Sequence, residues 1–181
     1  QLPWSIAENR PALRSLVRQV TSKVTLGKRA GIEDIVTRYL ELNPADNHGF
    51  RGLLMNWYLE CGKDQLALDI AERYPDDSSI ELQLGVVLAL YRLKRMVDAQ
   101  NALARALKLC PVAAHYLTAS RVKTPNLLEG ELPLNDDALA WAYREDMRKE
   151  WKKVPGVLDW VKECAGIPTK KKGLQQGKLP F

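Results

Sequence analysis

The side chains able to do chemistry are few in this chain, and they stand far apart. The two histidines, His48 and His115, are separated by 67 positions and have no paired acids at ligand spacing. Neither a metal centre nor a histidine-activated nucleophile can be read from that arrangement. Cys61, Cys110 and Cys164 occur singly, whereas disulfide frameworks and zinc ribbons need cysteines in pairs. They read as free thiols of a reducing, cytoplasmic compartment. Gly27 and Gly31 are isolated and open no GxxxxGK[ST] run, so no phosphate-cradling loop is present. The acidic pairs Asp76-Asp77 and Asp136-Asp137 have the right chemistry for general acids. Both stand where a helix is about to start, and a carboxylate there is favoured by the positive end of the helix dipole. The expectation is therefore no catalytic residue, no metal ligand, no cofactor and no enzyme. The single argument for an enzyme is the unassigned loop 120–134.

What remains is charge and greasy surface. The chain of 181 residues has 27 basic and 22 acidic side chains, a net charge of +5, laid out unevenly. Residues 1–30 hold six basic groups and one acid, residues 31–147 hold 12 and 18, and residues 148–181 hold nine and three. Basic ends of this kind attract phosphate or acidic partners. The tail residues Lys170, Lys171 and Lys172, with Arg14, Arg18, Lys23, Lys28 and Arg29 near the start, are the candidates for nucleic-acid contact. No run of apolar residues is long enough to span a membrane; the greasiest stretch, Leu84 to Tyr91, is far too short. Because the chain begins at Gln1, a processed or excised piece is expected.

The elements that must position these groups are helices. Leu13, Leu16, Val17 and Val20 recur at helical spacing after Pro11, a residue suited to a first helical turn. Ile32 to Leu42 is amphipathic and ends at Asn43-Pro44. Gly49 to Glu60, Gln65 to Tyr74, Ser79 to Leu93 and Val97 to Leu109 follow as helices, separated by Cys61-Gly62-Lys63, Pro75-Asp76-Asp77-Ser78 and Lys94-Arg95-Met96. Val112 to Ala119, Asn135 to Trp151 and Val157 to Cys164 complete the set, with 120–134 a loop. Trp57, Trp141, Trp151 and Trp160 sit at helical spacing and read as packing residues. Trp4, near an unstructured start, is the tryptophan expected to touch another chain.

Pro44, Pro75 and Pro111 are 31 and 36 residues apart, close to the period of about 34 of tetratricopeptide repeats. Leu54, Tyr58, Gly62, Ala67 and Pro75 occupy the large, aromatic, turn, small and terminating positions of one such unit, and Ala99, Leu103, Ala106 and Pro111 repeat its second half. The fold class expected is all-α: tetratricopeptide-like helical hairpins stacked as a short solenoid with C-terminal capping helices. The boundaries expected are an N-terminal arm 1–10, a repeat array 11–111, a C-terminal loop and capping helices 112–165, and a basic extended tail 166–181.

The blocks Leu42-Asn43-Pro44-Ala45-Asp46-Asn47-His48-Gly49-Phe50-Arg51 and Asp137-Ala138-Leu139-Ala140-Trp141-Ala142, the latter followed by Trp151 and Pro155-Gly156-Val157-Leu158, carry a further resemblance. Together they resemble a tetratricopeptide-like family of bacteria and, more distantly, the suppression-of-tumorigenicity-seven proteins. The resemblance covers roughly 32–160 and departs at Cys110-Pro111-Val112-Ala113-Ala114-His115-Tyr116-Leu117, where relatives have Asn-Pro-His-Val-Pro-x-Tyr-Leu. It implies the fold and leaves activity open. For such hairpins, ligand-facing positions lie on the first helix of each pair. Arg51, Gly52, Asn56 and Leu59 would face a groove in one unit and Leu82, Val86 and Ala89 in the next. Asn56 matches an asparagine that clamps a peptide carboxylate in relatives, but the basic partners of such a clamp are missing here. The leading expectation is thus a non-catalytic interaction or scaffold module that holds a protein or peptide segment. The alternative is a nucleic-acid-associated protein acting through its basic ends.

Overall fold

In a computed structural model, residues 1–28, 30–125 and 135–168 are described; Lys170, Lys171 and Lys172, and most of the 120–134 loop, lie outside them. Among the described residues the structure is all-helical, with α1 Arg10–Thr25, α2 Ile32–Leu42, α3 Phe50–Glu60, α4 Asp64–Arg73, α5 Ile80–Arg92, α6 Met96–Leu109, α7 Ala113–Thr118, α8 Asp136–Lys152 and α9 Val157–Cys164. The chain divides into two compact units, one ending at Leu109 and one beginning at Cys110.

In the first unit, consecutive helices are joined by turns that repeat. At the end of α1, Leu26, Gly27 and Lys28 donate backbone N–H groups to Ser22, Val24 and Lys23. Cys61, Gly62 and Lys63 do the same at the end of α3, and Leu93, Lys94 and Arg95 at the end of α5, each with identical sequence offsets. The central residue of each turn is left-handed, with φ of 64° at Gly27, 69° at Gly62 and 63° at Lys94. This six-to-one closure satisfies carbonyls that a helix end would otherwise leave bare. The ends of α2 and α4 close differently, Asn43 donating four residues back to Tyr39 and Tyr74 three back to Ala71. At both, however, a proline follows, and Asp46 and Asp77 donate back to Asn43 and Tyr74. The turns thus recur at positions 27, 62 and 94, and the proline stops at 44 and 75.

The core of this unit follows from the apolar stripes. Val36, Tyr39, Met55, Leu59, Ala67, Leu84, Val87, Leu88, Ala89, Ala99 and Leu103 are buried. α5 is covered on nearly all sides, as its almost uniformly apolar sequence requires. Gly85 lets α3 approach: a Cβ there would stand 2.5 Å from the Met55 side chain. Two arginines tie neighbouring hairpins at opposite ends. Arg92 donates to the Leu59 carbonyl at 2.7 Å and to Asp64 at 3.2 Å. Arg51 holds Asp77 at 2.7 Å and lies 4.0 Å from the centre of the Tyr74 ring.

The N-terminal segment is folded, contrary to the expected free arm. Leu2 donates its N–H to the Leu42 carbonyl at 2.6 Å, and Ala7–Asn9 form a short 3-10 turn. Trp4 is half-buried, edge-on to His48 at 4.7 Å, with the Arg10 and Arg14 guanidinia each 5.6 Å from its ring. The aromatic proposed for another chain is therefore occupied within its own unit, because His48, Tyr39 and Phe50 build an aromatic seat for it.

In the second unit, Trp151 is fully buried and donates Nε1–H to Tyr143 Oη at 3.0 Å. Asn135 caps α8 by accepting the Ala138 N–H at 2.8 Å, as expected of a residue of that type. Arg144 and Arg148 reach from α8 to the end of the short α7. Arg144 donates to the Tyr116, Ala119 and Ser120 carbonyls, and Arg148 to those of Leu117 and Ala119. Cations at a helix C-terminus suit its negative dipole end. Burial, helped by the neighbouring Arg144, lowers the Arg148 pKa from its usual value.

Candidate functional site

A cleft of about 460 Å³ with both apolar and charged walls opens between α4 and α6 of the first unit, floored by α5. Leu82, Val86 and Leu90 of α5, one turn apart, form the floor, with Leu68 and Ala71 on the α4 side and Ala102 on the α6 side. The rims differ in charge. Glu72 and Asp77 stand on one side, Arg95 and Arg105 on the other. Arg95 is neutralised locally by Asp98 at 2.9 Å. Neither Glu72 nor Arg105 makes an ion pair among the described residues, so the cleft presents an acid on one wall and a cation on the other.

The preceding helices explain why the opening is here. Matching the left-handed turn residues Gly62 and Lys94 places Phe50, Leu54 and Tyr58 of α3 where α5 has Leu82, Val86 and Leu90. All three α3 side chains are larger than, or as large as, their counterparts, and all three are buried. Burial first, then the nearby Glu33 carboxylate, pushes the Tyr58 pKa up to about 12. Lys63 closes the same end with a 2.7 Å ion pair to Glu33. The larger Phe50, Leu54 and Tyr58 thus stand buried where α5 has the smaller Leu82, Val86 and Leu90, which line the cleft.

The groove residues expected from sequence separate into two groups. Leu82 and Val86 come together in the cleft. Leu59 is buried at 1% exposure, and Gly52 and Ala89 are also buried; these offer no surface. Asn56 is half-buried on α3 and does not line the cleft; its Oδ1 is buried without a hydrogen bond among the described residues. Arg51 is committed to Asp77, Tyr74, the Pro44 carbonyl and, at 3.8 Å, Asp46. It touches the cleft only through Tyr74 and Asp77, two residues that line its end. Sequence reasoning missed Leu68, Leu90, Ala102 and Arg105. The signal that could have found them is side-chain size at matched positions: Tyr58 against Leu90 and Leu54 against Val86.

One acid of each acidic pair, Asp77 and Asp137, is hydrogen-bonded within the fold. Asp77 accepts the Ser79 N–H at 2.9 Å as well as Arg51. Burial opposes its ionisation, but the Ser79 N–H and the guanidinium outweigh it and hold the carboxyl below its usual range. Asp46 accepts the Phe50 and Arg51 N–H groups at 2.9 and 2.8 Å at the start of α3; burial nevertheless raises its pKa. Asp137 accepts the Tyr116 hydroxyl at 2.8 Å.

Among the described residues, no three His, Cys, Asp or Glu side chains gather where they could hold a metal ion, and no helix is long and apolar enough to cross a membrane. A scan of protein-family models, a search of curated proteins and a search of solved structures each match nothing.

Proposed function

We propose that this chain is a non-catalytic interaction module, a tetratricopeptide-like array whose open cleft between α4 and α6 holds a segment of another protein. The observation that carries this reading is the contrast between two equivalent spaces. One holds the larger Phe50, Leu54 and Tyr58, and at the next the smaller Leu82, Val86 and Leu90 line a cleft of about 460 Å³. Leu82 and Leu90 are buried at the base of the cleft and Val86 is half-buried, so Val86 is the floor residue that an occupant would cover. The recurrence of the same turns at 27, 62 and 94 and of the proline stops supports a repeat architecture. The occupant that suits the cleft is a short amphipathic segment with apolar anchors one turn apart, bearing a cation toward Glu72 and an acid toward Arg105.

The test is co-purification with the native protein. Val86 is half-buried in the floor, so Val86→Arg fills the cleft without emptying the core. Loss of the co-purifying protein, with helical content retained by circular dichroism, is the expected result. Undiminished capture by V86R contradicts the reading.

A further inference from the structure

We infer that the outer face of α1 is a separate docking surface for the phosphate backbone of a nucleic-acid strand. α1 holds Arg10, Arg14, Arg18 and Lys23 and not one acid in its 16 residues. Arg10, Arg14 and Arg18 follow at intervals of four, so like charges lie on successive turns, about 6 Å apart along the axis. Such an arrangement disfavours a helix by roughly 0.2–0.5 kcal/mol per pair. Opposite charges do not relieve it: among the described residues neither Arg14 nor Arg18 makes an ion pair, and both are exposed. The Lys23 ammonium, at the far end of the row, donates to the Ala30 carbonyl at 2.7 Å.

The surface between these cations is a shallow trough of about 640 Å³, lined by Arg14, Ser15, Arg18, Gln19, Ser22 and Lys23 together with Pro11. Hydroxyl and amide donors thus stand beside guanidinia, the combination that hydrogen-bonds phosphate oxygens without reading sequence. Apart from Pro11, no apolar side chain lines it. A membrane-docking helix needs greasy groups to enter the acyl layer, and a protein partner would find no buried anchor pocket. A row of cations suits a row of phosphates. The surface does not involve the α4–α6 cleft, and the two proposals stand or fall independently.

The test is fluorescence anisotropy of the whole chain with a labelled single-stranded RNA of about 20 nucleotides, between roughly 50 and 200 mM salt. Wild-type affinity should fall steeply with salt. Arg14→Gln with Arg18→Gln should weaken binding at least ~10-fold and flatten the logarithmic salt slope by about 1.4, the loss of two phosphate contacts to a single strand. Arg14→Lys with Arg18→Lys should stay within ~3-fold of wild type, because charge is kept. Val86→Arg should leave RNA affinity unchanged. The proposal is overturned if wild type shows no salt-dependent binding, if the glutamine pair binds as wild type does, or if the lysine pair fails as badly as the glutamine pair. Binding to phosphatidylserine vesicles without binding to RNA would also overturn it.

Discussion

The Arg51 guanidinium meets the Asp77 carboxylate at 2.7 Å, and the two belong to the starts of successive hairpins, 26 residues apart. Both side chains are largely buried. The guanidinium also covers the Tyr74 ring at 4.0 Å and reaches the Pro44 carbonyl. One side chain thereby joins the stop after α2, the start of α3 and the stop after α4. Removing it leaves Asp77 beneath the surface without its cation. Arg51→Ala is expected to destabilise the first unit by about 2–4 kcal/mol, read as a lower midpoint in urea. Arg51→Lys should recover only part of this, because an ammonium cannot cover the ring and serve two acceptors at once.

Asp77 also gives the protein a pH dependence of defined sign. Its folded-state pKa lies below the ordinary value, so its contribution to stability is present above the unfolded carboxyl pKa, near 4, and is lost as pH falls through the folded value. The stability gap between wild type and Asp77→Asn should be widest at neutral pH and shrink below about pH 4. Urea unfolding at a series of pH values measures it. A gap that grows on acidification contradicts the assignment. Asp46, whose pKa is raised, acts in the opposite sense.

Two substitutions in α5 and its turn should move against simple helix propensity. Gly85→Ala improves propensity by about 1 kcal/mol, yet its Cβ would meet Met55 Cγ and Sδ at 2.5 Å and Leu59 Cδ1 at 3.3 Å. Met55 is fully buried and has nowhere to withdraw. A net loss of about 1–2 kcal/mol is expected. Lys94 has φ of 63° where the preceding hairpin has Gly62. Lys94→Gly should raise stability by about 1 kcal/mol, since the left-handed region costs a lysine what it does not cost a glycine. Thermal melts of the two variants should therefore shift in opposite directions.

The helices were legible in the sequence because their signals are local. Pro44, Pro75, Gly62 and the apolar spacing each act within a few residues, and α2 runs from Ile32 to Leu42 as read. The role of Arg51 was not legible, because its partners Pro44, Asp46, Tyr74 and Asp77 come together only when two hairpins stack. Leu59 was assigned to a groove by its place in a repeat, but α5 covers it: Leu59 Cδ1 lies beside the Gly85 position. The cleft depended on a difference in volume between Tyr58 and Leu90, which hydrophobic pattern alone does not separate. Trp4 gave no local sign of its seat, since His48 and Asn43, which accepts its N–H at 3.4 Å, are about forty residues away.

The central claim is that the α4–α6 cleft receives a segment of another protein. Its most direct test is a photo-crosslinking residue placed at position 86 in the native protein, compared with one at Leu66, an exposed apolar residue of α4 that does not line the cleft. A single peptide of one partner captured from position 86 and not from position 66, and lost when Leu90→Tyr narrows the cleft, is the predicted result. Equal capture from both positions, or capture that Leu90→Tyr leaves intact, would contradict it.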